Sequence, residues 1–449
     1  MNYPYRTRNA VVGTLLALVL ALTSGGAAHA FDWPRDPAKR PVPEAHMSTK
    51  DAEADIAAKL DAVLAKGTLG KAYSLRVVDV ESGRVISDRA GTKARIAASN
   101  TKLFTAVAAL DVLGADKRFD TQVRRQGRSK AVTLVGGGDV RLTNGKLRQL
   151  ATKTAKALRK KAPARTKGKR VVRVALDDTR YQGAATKLSS WRQGGYGLST
   201  IQPVRSIMRA SSRHKDAAAS AAKYFARQLD RKLPSKWRVS YTGRTTSPAK
   251  GKRLARVRSV TVKTLVKRLL LVSDNQVAEG LLREVALAEG LRPTFSAGAK
   301  VTKRVATRYG VRMAGSRLAD GSGLSPRNTL TPRSLTDLLR VIADEGNTAL
   351  HPILYAKNSL PVAGESGTLA KDVYYRFQQP EAHCAVGKVV AKTGSLDWER
   401  ALSGLTVGED GRLKAFSVVA NKLPSSAERL AAVTALDHVA AVVNGCGKA

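Results

Sequence analysis

The sequence predicts one α/β (α+β) domain split by an inserted module, the module itself read as mainly β. Three features of the chain lead there. Residues 49–116 give the order helix, strand, strand, helix. Residues 117–258 turn strongly basic and break into strand-and-turn pieces. Residues 259–449 return to apolar helices, then strands that read as antiparallel partners, then a closing helix. Insertions at exposed loops are well tolerated, so a domain assembled from 49–116 and 259–449 around 117–258 breaks no rule of chain topology.

The elements follow in order. Residues 1–30 read as a cleavable export signal: Arg6 and Arg8 are positive, Val11 to Leu22 is apolar, and Ala28-His29-Ala30 is an A-x-A cleavage pattern. The apolar run is too short for a bilayer that needs about 20 residues, and no later stretch is long and apolar enough to span. A protein outside the cytoplasm, associated with the cell wall, is expected. Residues 31–48 are proline-rich and polar and read as an extended leader. In DAEADIAAKLDAVLAK, Ile56, Leu60 and Val63 recur at helical intervals. AYSLRVVDV and GRVISD are strands joined by the turn ESG. The next helix begins at or just after Ser99, runs through LFTAVAALDVLG and stops near Gly114.

In the basic segment FDTQVRRQG, AVTLVGGGD and RVVRVALDD read as strands, and Lys146 to Arg170 as a solvated helix face plus loop. After it come the helical VTVKTLVKRLLLVSDNQVAEGLLREVALAEG, the loop ADGSGLSPRN and the helix SLTDLLRVIADEG. The strands KVVAKTG, ALSGLTVG and LKAFSVVAN follow, and the helix SAERLAAVTALDHVAAVV ends the pattern.

The 449 residues are 43% hydrophobic, enough for a sizeable core, but 78 basic residues stand against 35 acidic, a net charge of +43. Such a surface favours polyanionic surroundings. Export argues against nucleic acid as the target, and no aromatic stacking pattern accompanies the basic runs. An anionic cell-wall polymer fits. Cys384 and Cys446 are the only cysteines; export favours a disulfide between them, with two free buried thiols as the alternative. The histidines are scattered, so no metal site is indicated.

S-x-x-K occurs four times: Ser99/Lys102, Ser212/Lys215, Ser220/Lys223 and Ser247/Lys250. Ser212 lies in a charged string, Ser247 precedes a proline in a Lys/Gly loop, and Ser220 sits mid-helix, where its hydroxyl is expected to bond its own backbone. Ser99 differs, because it opens an apolar helix whose N-terminal dipole favours negative charge on its oxygen. Lys102, one turn on, lies within reach, and burial would strip its proton. A neutral amine beside a hydroxyl is an activated nucleophile. The plain alternative is an N-cap serine with a lysine reaching to solvent. Ser273-Asp274-Asn275 is the only S-x-N, at the end of an apolar helix, and Lys392-Thr393-Gly394 the only K-T-G, at the end of a strand. The order S-x-x-K, S-x-N, K-T-G belongs to serine β-lactamases and penicillin-binding proteins.

With these motifs the chain resembles the class C low-molecular-mass penicillin-binding proteins, the D-alanyl-D-alanine carboxypeptidase/endopeptidase family. The likeness extends to LVGGGDVRL, LDDTRYQG, SDNQVAEGLLRE, ADGSGLSPRN, SLPVAGESGTL and KTGSL, and so to nearly the whole chain beyond the leader. It implies a penicillin-recognising, transpeptidase-like or β-lactamase-like domain with a central antiparallel sheet flanked by helices. It also implies a module inserted between S-x-x-K and S-x-N, here unusually basic. Ser99 is then the acylating nucleophile and Lys102 its general base. Ser273 relays protons to the leaving group, and Asn275 holds the substrate amide and Lys102. Lys392 and Thr393 bind the terminal carboxylate beside Gly394, and the backbone N–H groups of Ser99 and Ser395 form the oxyanion hole. The implied substrates are peptidoglycan stem peptides and crosslinks, β-lactams are the implied inhibitors, and no cofactor is called for. A β-lactamase is the rival enzyme, disfavoured by the wide motif spacing; a non-catalytic cationic wall-binding protein is the rival outside enzymes.

Overall fold

The computed structural model describes residues 47–127, 131–160, 170–193, 197–210, 214–246, 248–356 and 359–448. The expected export signal, all but the last two residues of the expected leader, Ser212 and Ser247 lie outside the described residues. Among the described residues no helix is long and apolar enough to cross a membrane.

One sheet is built from the two ends of the chain. Strands β1 (Ala72–Asp79) and β2 (Val85–Arg89) join β10 (Val389–Ser395), β11 (Arg400–Val407) and β12 (Leu413–Asn421) in the order β10-β11-β12-β1-β2. Every pairing is antiparallel, and β1 meets β12 across the whole of its length, from Ala72↔Asn421 to Asp79↔Lys414. Alternation along these strands divides the core in two. Phe416, Val418, Ala420 and Leu402 face α1 (Thr49–Ala65) and the C-terminal helix Ser426–Asn444. Ala415, Val419, Ala401 and Leu405 face the other way, onto a helical lobe. That lobe centres on α2 (Thr101–Leu113), whose residues from Thr101 to Leu110 are all buried. A helix apolar on every side must be packed on every side, and Lys102 is carried into that environment.

Where β1 and β12 end, Glu53, Asp79 and Asp410 converge on the fully buried Lys414, whose Nζ lies 2.7 Å from Asp410, 3.0 Å from Asp79 and 3.9 Å from Glu53. The Lys414 amine fills the space between the carboxylates and offsets part of their charge. Arg412 pairs with Asp79 as well; burial pushes the Asp79 carboxyl up, but the hydrogen bonds from Arg412, Ser82 and Lys414 outweigh it and hold the group far below the usual range.

A second sheet, β8-β6-β4-β3-β9, lies between residues 120 and 258. It comprises β3 (Asp120–Arg125), β4 (Ala131–Val135), β6 (Arg170–Asp177), β8 (Trp237–Arg244) and β9 (Lys252–Arg258), while β5 (Asp139–Leu142) and β7 (Ile207–Arg209) pair separately. The β4/β6 and β6/β8 pairings are parallel, so each needs a crossover. Helices α3 (Asn144–Lys160) and α4 (Ala217–Lys232) supply them and pack together on the sheet. The expected solvated helix face over Lys146–Arg170 is α3 as far as Lys160, with Leu147, Leu150, Ala151 and Leu158 turned inward; residues 161–169 lie outside the described residues. Helices α5 (Val262–Leu271) and α6 (Asn275–Ala288) return the chain to the helical lobe against α2.

Candidate active site

Ser99 lies in a single tight turn, Ala98–Asn100, that runs directly into α2. The preceding Ala98 adopts φ 49°, the left-handed region that costs a residue with a Cβ about 1 kcal/mol or more. Packing holds it there. The Thr101 hydroxyl donates to the Ala98 carbonyl oxygen at 2.9 Å. Gly323 lies so close to that oxygen that a Cβ would overlap it. On the other side Gly394 reaches the Ala97 carbonyl, which a Cβ would meet at 2.5 Å. The turn is thus clamped between the ADGSGLSPRN loop and the end of β10, and its serine stays half-exposed.

Lys102 is fully buried. Its Nζ lies 2.9 Å from Ser99 Oγ, 2.7 Å from Asn275 Oδ1 and 2.6 Å from the Ser322 carbonyl oxygen. Burial lowers the amine's pKa from 10.5 to about 8, against the opposing pull of Asp320, Glu279 and Asp274. Two of the three neighbours are carbonyl oxygens, which only accept. A neutral amine has two hydrogens, one for each, and its lone pair is then left facing the serine hydroxyl. The geometry suits a base as well as an ammonium.

Asn275 opens α6. Asp274 caps that helix by accepting from the Val277 N–H at 3.1 Å. The Asn275 Nδ2 donates to the Thr200 carbonyl at 3.2 Å, so the module contributes to the site. Ser273 sits at the corner between α5 and α6 with φ 55°; among the described residues its hydroxyl has no hydrogen-bond partner. Lys392, fully buried, donates to the Thr393 carbonyl at 2.9 Å. Burial, then the neighbouring Lys102 and Arg376 cations, hold its pKa well below the ordinary lysine value. Thr393 Oγ1 donates to Thr368 Oγ1 at 2.7 Å, and Ser395 is exposed at the strand end.

The structure therefore joins Ser99, Lys102 and Asn275 by direct contact and sets Lys392, Thr393, Gly394 and Ser395 along the adjoining strand. Cys384 and Cys446 form a disulfide. Ser220, in α4 and expected to bond its own backbone, instead accepts from the Arg209 guanidinium at 3.4 Å.

Sequence reasoning missed the support beneath Lys102. Glu279, four residues after Asn275 on the same helix face, is fully buried and accepts from the Ser322 N–H at 2.7 Å and the Gly321 N–H at 3.1 Å. Asp320 accepts from the N–H groups of Gly323 and Ser325, from Trp191 Nε1 and from Asn328 Nδ2, all at 2.7–2.8 Å. These two carboxyl groups fix the loop that presents the Ser322 carbonyl to the lysine. Burial, then the Asp320 charge, raise the Glu279 pKa to about 8. The signal available was an acid spaced i, i+4 from Asn275 on an otherwise apolar face.

Comparison with known proteins gives the family of the chain. The family model for D-Ala-D-Ala carboxypeptidase 3 (S13) matches residues 56–208 and 203–443. The chain is 30% identical over 401 residues to carboxypeptidase DacB of Mycolicibacterium smegmatis, covering 87% of this chain and 84% of that one. It is 28% identical over 454 residues to a D-alanyl-D-alanine carboxypeptidase of Actinomadura sp. strain R39, covering 81% and 80%. Its fold is similar to the crystal structure of penicillin binding protein 4 from Haemophilus influenzae, with TM-score 0.69 at 22% identity, over 84% of this chain and 97% of that one. The chain belongs to the D-Ala-D-Ala carboxypeptidase 3 (S13) family and is, by that membership, a serine-type D-Ala-D-Ala carboxypeptidase among the class C low-molecular-mass penicillin-binding proteins.

Proposed function

We propose that the protein is exported and trims D-alanine from peptidoglycan stem peptides, or opens their crosslinks, through an acyl-enzyme on Ser99. The observation that carries this reading is the lysine amine with two carbonyl acceptors and one serine oxygen around it. Lys102 takes the Ser99 Oγ proton as the oxygen attacks the carbonyl carbon of the penultimate D-alanine. The N–H groups of Ser99 and Ser395 receive the oxyanion, an interaction whose loss elsewhere costs about 3 to 4 kcal/mol per donor. The proton then passes by way of Ser273 to the departing amine, the C–N bond breaks, and water releases the shortened peptide. Asn275 holds both Lys102 and the substrate amide.

Lys392 and Thr393 receive the terminal carboxylate, and Gly394 lets the substrate backbone approach the strand. Burial holds the Lys392 pKa down in the free site, and an incoming carboxylate restores its charge. A penicillin offers a reactive carbonyl and a carboxylate in the same relation, and acylates Ser99.

The test is product analysis. An acyl-D-Ala-D-Ala peptide and a crosslinked dimer are incubated with wild type and with Ser99→Ala. Free D-alanine or cleaved dimer from wild type alone supports the reading; equal product from both contradicts it.

A further inference from the structure

The catalytic chemistry leaves the chain's charge unexplained, and the structure shows where that charge is concentrated. Residues 117–258 hold 38 of the 78 basic residues, six of the 35 acidic ones and no glutamate, a net +32 of the total +43. All six aspartates have local duties. Asp120 pairs with Arg256 and Arg258, and Asp178 with Arg205 and Arg244. Asp216 caps α4. Asp139, Asp177 and Asp230 accept from the backbone N–H groups of Arg141, Thr179 and Val239. Apart from Asp139, which lies 3.9 Å from Lys146 at the start of α3, none of them pairs with a cation of the two-helix layer among the described residues.

That layer is nearly all cation on its outer side. The exposed positions of α3 include Arg148, Lys153, Lys156, Arg159 and Lys160 and no acid. Every exposed position of α4 is basic: Lys223, Arg227, Arg231 and Lys232. Among the described residues none of these nine is ion-paired. Tyr224 links the helices, its hydroxyl accepting from Arg148 while the Arg227 guanidinium lies over its ring. Lys223, Arg227 and Arg231 recur every four residues, and Lys153, Lys156 and Lys160 at three and four. Each set is a line of charges about 5 to 6 Å apart along its helix. A surface made only for solubility mixes both signs; this one keeps self-repelling cations in rows.

We infer that α3 and α4 form a docking surface for a linear phosphodiester polymer attached to peptidoglycan, which holds the enzyme on its substrate. The rows suit a chain with one fixed negative charge per repeat. Neither helix carries an exposed large apolar side chain, which a membrane surface or an ordinary protein interface would call on. Of the aromatics beside the rows, Tyr224 is covered by Arg209 at 4.3 Å and Tyr241 lies under Lys223 at 6.0 Å, so neither is open for bases to stack on. The choice of a wall polymer rests on the peptidoglycan-directed reading of the Ser99 site; the cationic surface itself does not.

The test uses the full chain and a sixfold variant, Lys153→Gln, Lys156→Gln, Lys160→Gln, Lys223→Gln, Arg227→Gln and Arg231→Gln. Binding to fluorescent poly(glycerol phosphate) is measured at 50 and 200 mM salt, beside duplex DNA and phosphatidylglycerol vesicles at equal phosphate. Six contacts, each contributing roughly −0.7 to the slope of log affinity against log salt, weaken wild-type binding about 300-fold over that range. The variant binds at least about 100-fold more weakly at 50 mM, with little salt dependence, and keeps its melting temperature and penicillin acylation rate. Equal binding by the variant, salt-insensitive wild-type binding, or tighter binding to DNA or vesicles overturns the proposal. Charge-dependent polymer binding by a protein that penicillin does not acylate would leave this surface standing and refute the Ser99 reading alone.

Discussion

The pH dependence of acylation follows from the depth at which Lys102 is buried. The side chain is 0% exposed, and burial brings its pKa to about 8 instead of 10.5. The difference is worth about 3 kcal/mol in favour of the neutral amine. At pH 7 the neutral fraction is then about one tenth, some 300-fold more than an exposed lysine would supply. The base must be unprotonated to take the serine proton, so acylation slows as pH falls below 8. The second-order rate of acylation by a penicillin, followed by intact mass, is expected to rise about 50-fold between pH 6 and pH 8 and to level off by pH 9. Lys102→Arg keeps a cation but removes the neutral form, and is expected to lose about 10²- to 10⁴-fold at every pH. A rate that is flat from pH 6 to 9, or one still climbing past pH 10, would refute the reasoning.

Three further perturbations are specific. Gly323→Ala places a Cβ against the Ala98 carbonyl at φ 81°; acylation is expected to fall at least about tenfold and stability by about 1–3 kcal/mol, measured by mass and thermal unfolding. Glu279 keeps a proton in the folded chain up to about pH 8 that the unfolded chain releases near 4.5, so this residue makes stability fall as pH rises through that window. Glu279→Gln is expected to flatten the loss of melting temperature between pH 5 and 8, and an unchanged slope would contradict the assignment. Replacing both Cys384 and Cys446 by serine opens a disulfide spanning 62 residues, with an expected cost of about 4 kcal/mol in denaturant unfolding and no change in acylation rate at 25 °C.

Much of the architecture was legible where a strand is buried on both faces. β1, β10, β11 and β12 bury opposite faces against opposite cores, and their runs of Val, Ala, Leu and Phe carry that directly. Short elements escaped. β5 and β7 hold four and three residues, too few for a period to show. The helix around Ser220 reads as such, but its place as the crossover α4 does not, because it packs on the sheet chiefly through alanines. The motif residues could be placed because a serine, a lysine, an asparagine and a lysine-threonine-glycine run occur in a fixed order. Their supports follow no such order. Thr368 touches Thr393 across 25 positions, and Glu279 and Asp320 bind backbone N–H groups that exist only once the ADGSGLSPRN loop has folded. The contribution of Thr200 and Trp191 to the site likewise arises from how the module packs, which no local pattern records.

Intact mass after exposure to penicillin bears most directly on the chemistry assigned to residues 99 and 102. Wild type is expected to gain one penicillin, and peptide mapping to place it on Ser99; Ser99→Ala is expected to gain none under the same conditions. An adduct on the alanine variant, or one mapped to Ser220 or Ser273 in the wild type, would contradict the account.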